Sequence, residues 1–342
     1  MKRTIQNLTM AAALLLGAAA MSSCAGFVDA LLGHEDTPAE TPTKPSTSDA
    51  NDGGSHEGSD MSLPPGAGFN RVDLSTLTED YTFKDGDVLT GTLDGTKTVI
   101  KLSVAPDAKV ILSGAQILGE DQGILVDTWA GLTCLGNATI ILDGENTVRS
   151  FDRSFPCIQA GPDGSKLIIT GDGKLTTEGG SLAGIGSTEN ITCGDIEIQG
   201  GDLTLKDSHV SIGSGTYAPC GNITITGGTI TAQGGEVGIG SSGGESFCGD
   251  ISISWSENFV SLTAIKGNRV YYPIGATRLI NCGVITFDGT IIKKREQPDV
   301  SVQEGAYGKL KFTISTTLPE GVDEEAGYKD NTWTLTPRSE DE

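Results

Sequence analysis

The sequence predicts an all-β protein, a right-handed parallel β-helix with three short strands in each coil. Three observations favour this fold class. Glycine is abundant, with 48 of 342 residues. Short runs of alternating apolar and polar residues follow Arg71, and no segment there shows helical periodicity. A unit of about 27 residues recurs along the middle of the chain, which favours a solenoid over a sandwich or a barrel.

The N-terminus has the pattern of a lipoprotein signal peptide over residues 1–23. Lys2 and Arg3 precede an apolar run over residues 10–20, and the small residues Ser22 and Ser23 precede Cys24. The run is too short to span a bilayer in the mature protein. We therefore expect Cys24 to carry the lipid, and the protein to be anchored to a bacterial outer membrane at the cell surface. The alternative is an ordinary secretory leader cleaved nearby.

Residues 24–68 comprise the expected lipidated cysteine and a tether. The segment is rich in Pro, Thr, Ser, Glu, Asp and Gly and has almost no periodic apolar signal after Leu32. Such a composition buries too little apolar surface to offset the entropy lost on ordering. We expect it to be disordered and to hold the folded part away from the membrane.

The repeat defines the body of the protein. Residues 166–193, 194–220 and 221–248 read KLIITGDGKLTTEGGSLAGIGSTENITC, GDIEIQGGDLTLKDSHVSIGSGTYAPC and GNITITGGTITAQGGEVGIGSSGGESFC. Because side chains alternate across a strand, equivalent positions of successive units should stack into inward columns. Two such columns are predicted: Leu167, Ile196, Ile223 and Ile251, and Ile169, Ile198, Ile225 and Ile253.

The ends of the solenoid are expected to differ from its middle. The β-helix is assigned to residues 69–295, with irregular coils or a cap over residues 72–122. Residues 296–342 are expected to form a C-terminal β cap, in which strands at 309–316 and 331–336 make a hairpin. Caps are needed because an open β-helix end is an unpaired sheet edge.

The motifs AGIGS, CGDI, ITITGGTITA and PIGA…CG give the chain a family resemblance over residues 72–290. This region resembles the Gly-rich repeats of surface lipoproteins from gut Bacteroidetes and Firmicutes, which are described as carbohydrate-binding-domain proteins with β-helix architecture. The resemblance implies a β-helix and glycan binding, with calcium and acidic polysaccharide in some relatives. It supplies no binding motif to carry over residue by residue.

Four cysteines recur once per coil, at Cys193, Cys220, Cys248 and Cys282. Equivalent residues of adjacent coils lie about 4.8 Å apart. This spacing is inside the Cα window of a disulfide, and an oxidising compartment favours bonding. A ladder of buried thiols explains the same pattern, so both interpretations stay open.

An Asx column follows glycine at one corner of the coil, at Asn137, Asp195, Asn222 and Asp250. Asx side chains at such corners accept backbone hydrogen bonds and stack as a ladder. The alternative interpretation of Asp195, Asn222 and Asp250 is a Ca²⁺ site, since this ion takes six to eight oxygens.

The charged residues give no sign of a catalytic centre. The carboxylates Glu178, Glu197, Asp202, Asp207 and Glu236 do not converge in the repeat, and we interpret them as parts of a solvated face. A formal net charge of −22 argues against nucleic acid and anionic lipid as partners. Contact with a membrane is therefore expected through the lipid anchor alone.

Aromatic residues in loops and drifted coils are the candidates for sugar binding, because sugar rings stack on aromatic faces. They are Trp129, with Asp127 beside it, Tyr217, Tyr271 and Tyr272. Packing and capping account for these rings equally well.

These observations lead to one expected function and two alternatives. We expect a non-catalytic lipoprotein of the bacterial cell envelope that binds a polysaccharide or a host glycan. The alternatives are a polysaccharide lyase or glycoside hydrolase on a β-helix, and a structural surface protein or adhesin.

Overall fold

The chain folds into an all-β solenoid of stacked parallel strands, as the repeat predicts. The structure is a computed structural model that describes residues 69–121, 129–178, 182–207, 209–267, 272–276, 281–294, 302–315 and 331–339. The leader, the expected lipidation residue Cys24 and the tether lie outside these ranges. They include a complete 3₁₀ turn, Leu74–Thr76, and within them no helix is long and apolar enough to cross a membrane.

Each coil contributes a strand to each of three faces. The first face is a ladder of parallel strands: β1 (Asn70–Asp73), β3 (Asp87–Asp94), β5 (Ala108–Leu118), β7 (Ala138–Asp143), β10 (Lys166–Gly171), β13 (Asp195–Ile198), β17 (Ile223–Ile225), β21 (Ile251–Ile253) and β24 (Ile285–Phe287).

The second face continues from the first around a corner. The long strands β3 and β5 pass through this corner, and the later coils begin a new strand after it: β8 (Glu145–Arg149), β11 (Lys174–Glu178), β14 (Asp202–Asp207), β18 (Gly228–Gly234) and β22 (Phe259–Ile265).

The third face is an eight-stranded parallel sheet. Its strands are β2 (Tyr81–Phe83), β4 (Leu102–Val104), β6 (Leu132–Cys134), β9 (Ile158–Gln159), β12 (Ala183–Gly186), β15 (Val210–Ser214), β19 (Val237–Ser241) and β23 (Ile274–Ala276). The short strands β16 (Pro219–Cys220) and β20 (Phe247–Cys248) pair at the corner that follows this face.

The predicted inward columns form the core. Ile196 pairs with Leu167 and with Ile223, and Ile223 pairs with Ile251, so the first column is continuous from coil to coil. The second column has the same register, and all of these side chains are buried. A single coil cannot bury its apolar edge, so stacking supplies most of the stabilisation.

The N-terminal coils are more regular than the sequence predicts. Strands β1, β3 and β5 pair in parallel with the coils that follow, and β2, β4 and β6 do the same on the third face. The repeat has lost its glycine consensus here, yet Leu89, Leu112 and Leu142 still supply buried side chains. Apolar alternation is retained where the glycine consensus is lost, and it supplies the inward side chains of these coils.

The C-terminus closes the solenoid with antiparallel strands. Strands β26 (Gly305–Tyr307), β27 (Leu310–Ser315) and β28 (Thr332–Pro337) form one antiparallel group, and the predicted pairing of the last two strands is confirmed. Strand β28 also pairs antiparallel with β22, so the cap joins the second face directly.

A second hairpin, which the sequence analysis missed, precedes the cap. Strand β25 (Thr290–Lys293) folds back antiparallel on β24. The turn between them has φ values of 44° at Asp288 and 77° at Gly289. Positive φ at both central residues is the geometry for which Asp-Gly is favoured in two-residue hairpins.

A glycine column holds the third-face strands in close contact. Gly186, Gly213, Gly240 and Gly275 stack in register, with φ between 131° and 154°. A Cβ on any of the first three would overlap the carbonyl oxygen of the glycine in the next coil. The AGIG motif of the repeat therefore reflects close backbone approach.

Candidate functional site

The Asx column forms a hydrogen-bond ladder between coils. The backbone N–H of Asn222 donates to Oδ1 of Asp195 at 2.7 Å, and that of Asp250 donates to Oδ1 of Asn222 at 2.9 Å. The N–H of Val284 donates to Oδ1 of Asp250 at 2.8 Å. The sequence predicts a stacked ladder, but the donors lie one coil ahead rather than in the same turn.

These contacts bear on the Ca²⁺ interpretation of Asp195, Asn222 and Asp250. One oxygen of each side chain already accepts a backbone hydrogen bond. Across the described ranges, no group of three or more His, Cys, Asp or Glu residues has a geometry that could hold a metal ion. The described side chains of this corner thus act on the backbone of the neighbouring coil.

Tyr217 is the most exposed of the predicted sugar-binding aromatic residues that the structure describes. It lies in the loop between β15 and β16, and 53 % of its surface is exposed. Its backbone has φ of 57°, a left-handed conformation that is uncommon for a bulky residue. The ring lies beside Gly244, in the equivalent loop of the next coil, where a Cβ added to the glycine would lie 3.1 Å from Cε1 of the ring. Strain of this kind is concentrated at functional sites, so Tyr217 is the best candidate for ligand contact.

The two loops at this corner are fixed by serine side chains. Ser214 Oγ donates to the carbonyl oxygens of Gly215 and Ala218, and Ser246 Oγ donates to those of Ser242 and Gly243. Such hydrogen bonds hold the loops in one conformation before any ligand arrives. Preorganisation lowers the entropy cost of binding.

The other predicted aromatic residues have different surroundings. The ring of Trp129 is partly buried against the core, and its Nε1–H donates to the carbonyl oxygen of Ile100 at 2.7 Å. The ring of Tyr272 packs 5.4 Å from that of Trp333. Asp127 and Tyr271 lie outside the described residues.

The structure does not bring Trp129 and Tyr217 together. Trp129 precedes β6 and Tyr217 follows β15, which is three rungs further along the third face. Three rungs correspond to about 14 Å along the solenoid axis. A single sugar cannot contact both rings, whereas an extended glycan chain could.

A row of threonines runs along the outer side of the second face. The strand pairing stacks one threonine on the next from β8 to the C-terminal cap. The members of the row, all half-buried, are Thr147, Thr176, Thr204, Thr231, Thr263, Thr334 and Thr313. The row offers hydroxyl groups at every rung but no apolar platform.

Outward carboxylates form ion pairs with lysines of neighbouring rungs. They do not form the pair of carboxyl groups that a glycosidase uses as acid and base. Lys166 Nζ lies 2.9 Å from Glu197 Oε2, and Lys174 Nζ lies 3.3 Å from Glu145 Oε1. Hydrogen bonds from Gln199 and Lys166 lower the pKa of Glu197. A glycosidase acid requires a raised pKa, so Glu197 is unsuited to that role.

Asp207 is buried, and its assignment to a solvated face was wrong. It ends β14 at an inward position, where Oδ2 accepts a hydrogen bond from Thr177 Oγ1 at 3.1 Å. Burial raises the pKa of its carboxyl well above the usual range, and hydrogen bonds with Thr177 and Cys157 oppose this effect only in part. The signal was available, because Leu203, Leu205 and Asp207 share the two-residue period of the core side.

Asp207→Asn is expected to raise the free energy of unfolding at pH 7 by about 1–3 kcal/mol, because a neutral amide avoids the cost of a buried charge. A raised folded-state pKa means that the aspartate destabilises the protein as pH rises through that value. The advantage of the variant should therefore shrink as pH falls toward the ordinary range of aspartate, as measured by urea unfolding at several pH values.

The matched control is Asp202→Asn, which makes the same charge change on the outward side of the same strand. We expect it to alter the unfolding free energy by less than about 0.5 kcal/mol. Equal effects of the two variants at pH 7 would show that net charge, rather than burial, is responsible.

Comparison of the chain with protein-family models, curated proteins and solved structures gave no significant match. The fold and the side-chain geometry therefore carry the functional argument by themselves.

Proposed function

We propose that this protein is a non-catalytic glycan-binding lipoprotein of a bacterial cell envelope, which binds through the corner that carries Tyr217. The observation that carries the proposal is the half-exposed ring of Tyr217 in a strained, preorganised loop. Aromatic faces stack on sugar rings, and the surrounding loops are already fixed. The resemblance to carbohydrate-binding-domain lipoproteins agrees with this assignment.

The remaining parts of the proposal follow from the sequence. Lipidation at Cys24 would hold the protein on the outer membrane. Residues 25–68 would act as a tether that holds the solenoid away from the membrane surface. The ligand class is a polysaccharide or a host glycan. The proposal includes no cofactor; a Ca²⁺ ion at Asp195, Asn222 and Asp250 is the alternative that the resemblance implies.

Tyr217→Ala is expected to weaken glycan binding about fivefold to tenfold, which corresponds to the loss of one aromatic contact of about 1 kcal/mol. The thermal midpoint should stay unchanged, because the ring is half exposed. The parent protein is first screened on a glycan array with calcium and with a chelator. Affinities for the best ligand are then measured by calorimetry.

Tyr217→Phe is the matched control, since it keeps the ring and removes only the hydroxyl, and it should bind like the parent. Equal affinities of the alanine and phenylalanine variants would remove Tyr217 from the site. Absence of binding to every polysaccharide would overturn the proposed function, and release of shorter products would replace it with a catalytic one.

A further inference from the structure

The four repeated cysteines form one buried column. Parallel pairings join Cys193 to Cys220, Cys220 to Cys248, and Cys248 to Cys282. None of the four is in a disulfide, and all four side chains are buried. Adjacent rungs are about 4.8 Å apart, which is within the Cα separation that a disulfide requires.

The thiols of the column influence one another's ionisation. A hydrogen bond with Cys193, together with burial, raises the pKa of the Cys220 thiol well above its ordinary value. Burial and a hydrogen bond with Cys282 do the same for Cys248, whereas Cys248 acts on Cys220 through charge alone. Cys282 ends the column, so Cys248 is its one neighbour among the four cysteines.

Lys293 lies at the C-terminal end of this column. The hairpin at Asp288 and Gly289 returns the chain so that β25 pairs with β24, and Lys293 becomes buried. Its Nζ lies 2.9 Å from Sγ of Cys282 and 3.0 Å from the carbonyl oxygen of the same residue. A buried ammonium is stable only beside an anion or strong acceptors.

The charge of Lys293 distinguishes Cys282 from the other thiols. An adjacent cation stabilises a thiolate, which is the nucleophilic form of cysteine. The same cation disfavours a metal ion at that sulfur. Access of a small reagent to this buried sulfur requires local opening of the last coil.

We propose that Cys248 and Cys282 form a reactive dithiol that a low-molecular-weight disulfide oxidises to a disulfide between coils. Cys282 is the attacking sulfur, and Lys293 holds it as the thiolate. This site is independent of glycan binding.

The reaction is a thiol–disulfide exchange in two displacements. The Cys282 thiolate attacks one sulfur of the external disulfide, and the other sulfur leaves as a thiolate that takes a proton from water. Cys248 then attacks the sulfur of Cys282 in the mixed disulfide, and its proton goes to the second leaving thiolate. Two protein thiols lose two electrons, and the external disulfide becomes two thiols.

The test uses the reduced full-length chain and excess oxidised glutathione. Samples taken over time are quenched with acid, unfolded, alkylated and digested with trypsin and a glutamate-specific protease. The second protease is needed because residues 207–265 contain no Lys or Arg, whereas Glu236 and Glu245 separate Cys220 from Cys248. Mass spectrometry should detect the link between Cys248 and Cys282 before any other.

Cys134 is the internal control. Burial raises the pKa of its thiol to about 12, and it lies outside the column. It should stay reduced during the oxidation and therefore be alkylated once the protein is unfolded. A first link between Cys220 and Cys248, or complete alkylation of Cys248 and Cys282 in the oxidised sample, would overturn the proposal.

Lys293→Met should slow formation of the link about tenfold or more, because the thiolate fraction of Cys282 falls when the cation is lost. Lys174→Met removes an exposed lysine and should leave the rate unchanged. Circular dichroism establishes that both variants are folded. An unchanged rate in a folded Lys293→Met variant would contradict the role of Lys293.

A pH profile of the parent protein gives a second readout if the Lys293→Met variant does not fold. The rate of link formation should level off below the ordinary cysteine pKa of about 8.5, because the attacking thiol is already ionised. A rate that keeps rising through pH 9 would contradict the proposal.

Discussion

Replacing Ile225 by aspartate is expected to lower the free energy of unfolding by about 4–5 kcal/mol. Ile225 is completely buried and pairs with Ile198 in the preceding coil and Ile253 in the next. A carboxylate there would lie between apolar rungs without a partner, and the apolar contacts of isoleucine would be lost. Equilibrium unfolding in urea measures the change.

Ser252→Asp introduces the same charge one coil away, at an outward position of β21. It should cost less than about 1 kcal/mol, because the carboxylate stays hydrated. Similar losses for the two variants would mean that the inward and outward positions are wrongly assigned. A small loss for Ile225→Asp alone would contradict the continuous core.

Gly240→Ala is expected to destabilise the protein by about 3 kcal/mol or more, through overpacking and backbone strain. The added methyl group would overlap the carbonyl group of Gly275 in the next coil, and φ at this position is 134°. Relief requires the coils to separate, which weakens their pairing on the third face. The thermal midpoint and urea unfolding both report the loss.

The control for this substitution is Gly305→Ala. Gly305 is exposed, and no neighbouring atom would lie within 4 Å of a new Cβ. We expect a change within about 0.5 kcal/mol. If Gly240→Ala is equally harmless, close approach of the backbones is not what maintains glycine in the AGIG motif.

The repeat predicts the core because both have the same period. Leu167, Ile196 and Ile223 occupy equivalent positions of successive units, and the strand pairing keeps them in register although the unit length varies by a residue or two. The cysteines recur at one position of the unit, so their column is predicted in the same way. Solenoid contacts are made between sequence neighbours one unit apart, so a sequence with clear units specifies most of its pairings.

The features that the sequence analysis missed lie where the repeat ends. The position of Lys293 depends on the hairpin at Asp288 and Gly289, whose Asp-Gly signal is short and belongs to no unit. The pairing of β28 with β22 is a contact between distant segments with no shared pattern. Periodicity gives no information about such contacts.

The candidate binding residues were only partly predictable. A break in the consensus identifies a loop, but it does not show how far a side chain is exposed. Trp129 and Tyr217 both lie at such breaks. The indole N–H of Trp129 donates to a backbone carbonyl, whereas Tyr217 is half exposed to solvent. Exposure depends on the neighbouring coils, which sequence position alone does not describe.

The Asx ladder gives the solenoid a polarity. Each side-chain oxygen accepts from the coil that follows it in sequence: Asp195 from Asn222, Asn222 from Asp250, and Asp250 from Val284. A completed coil therefore presents acceptors for the backbone of the next one. Winding can proceed from the N-terminus toward the C-terminus, with each finished turn serving as the template for its successor.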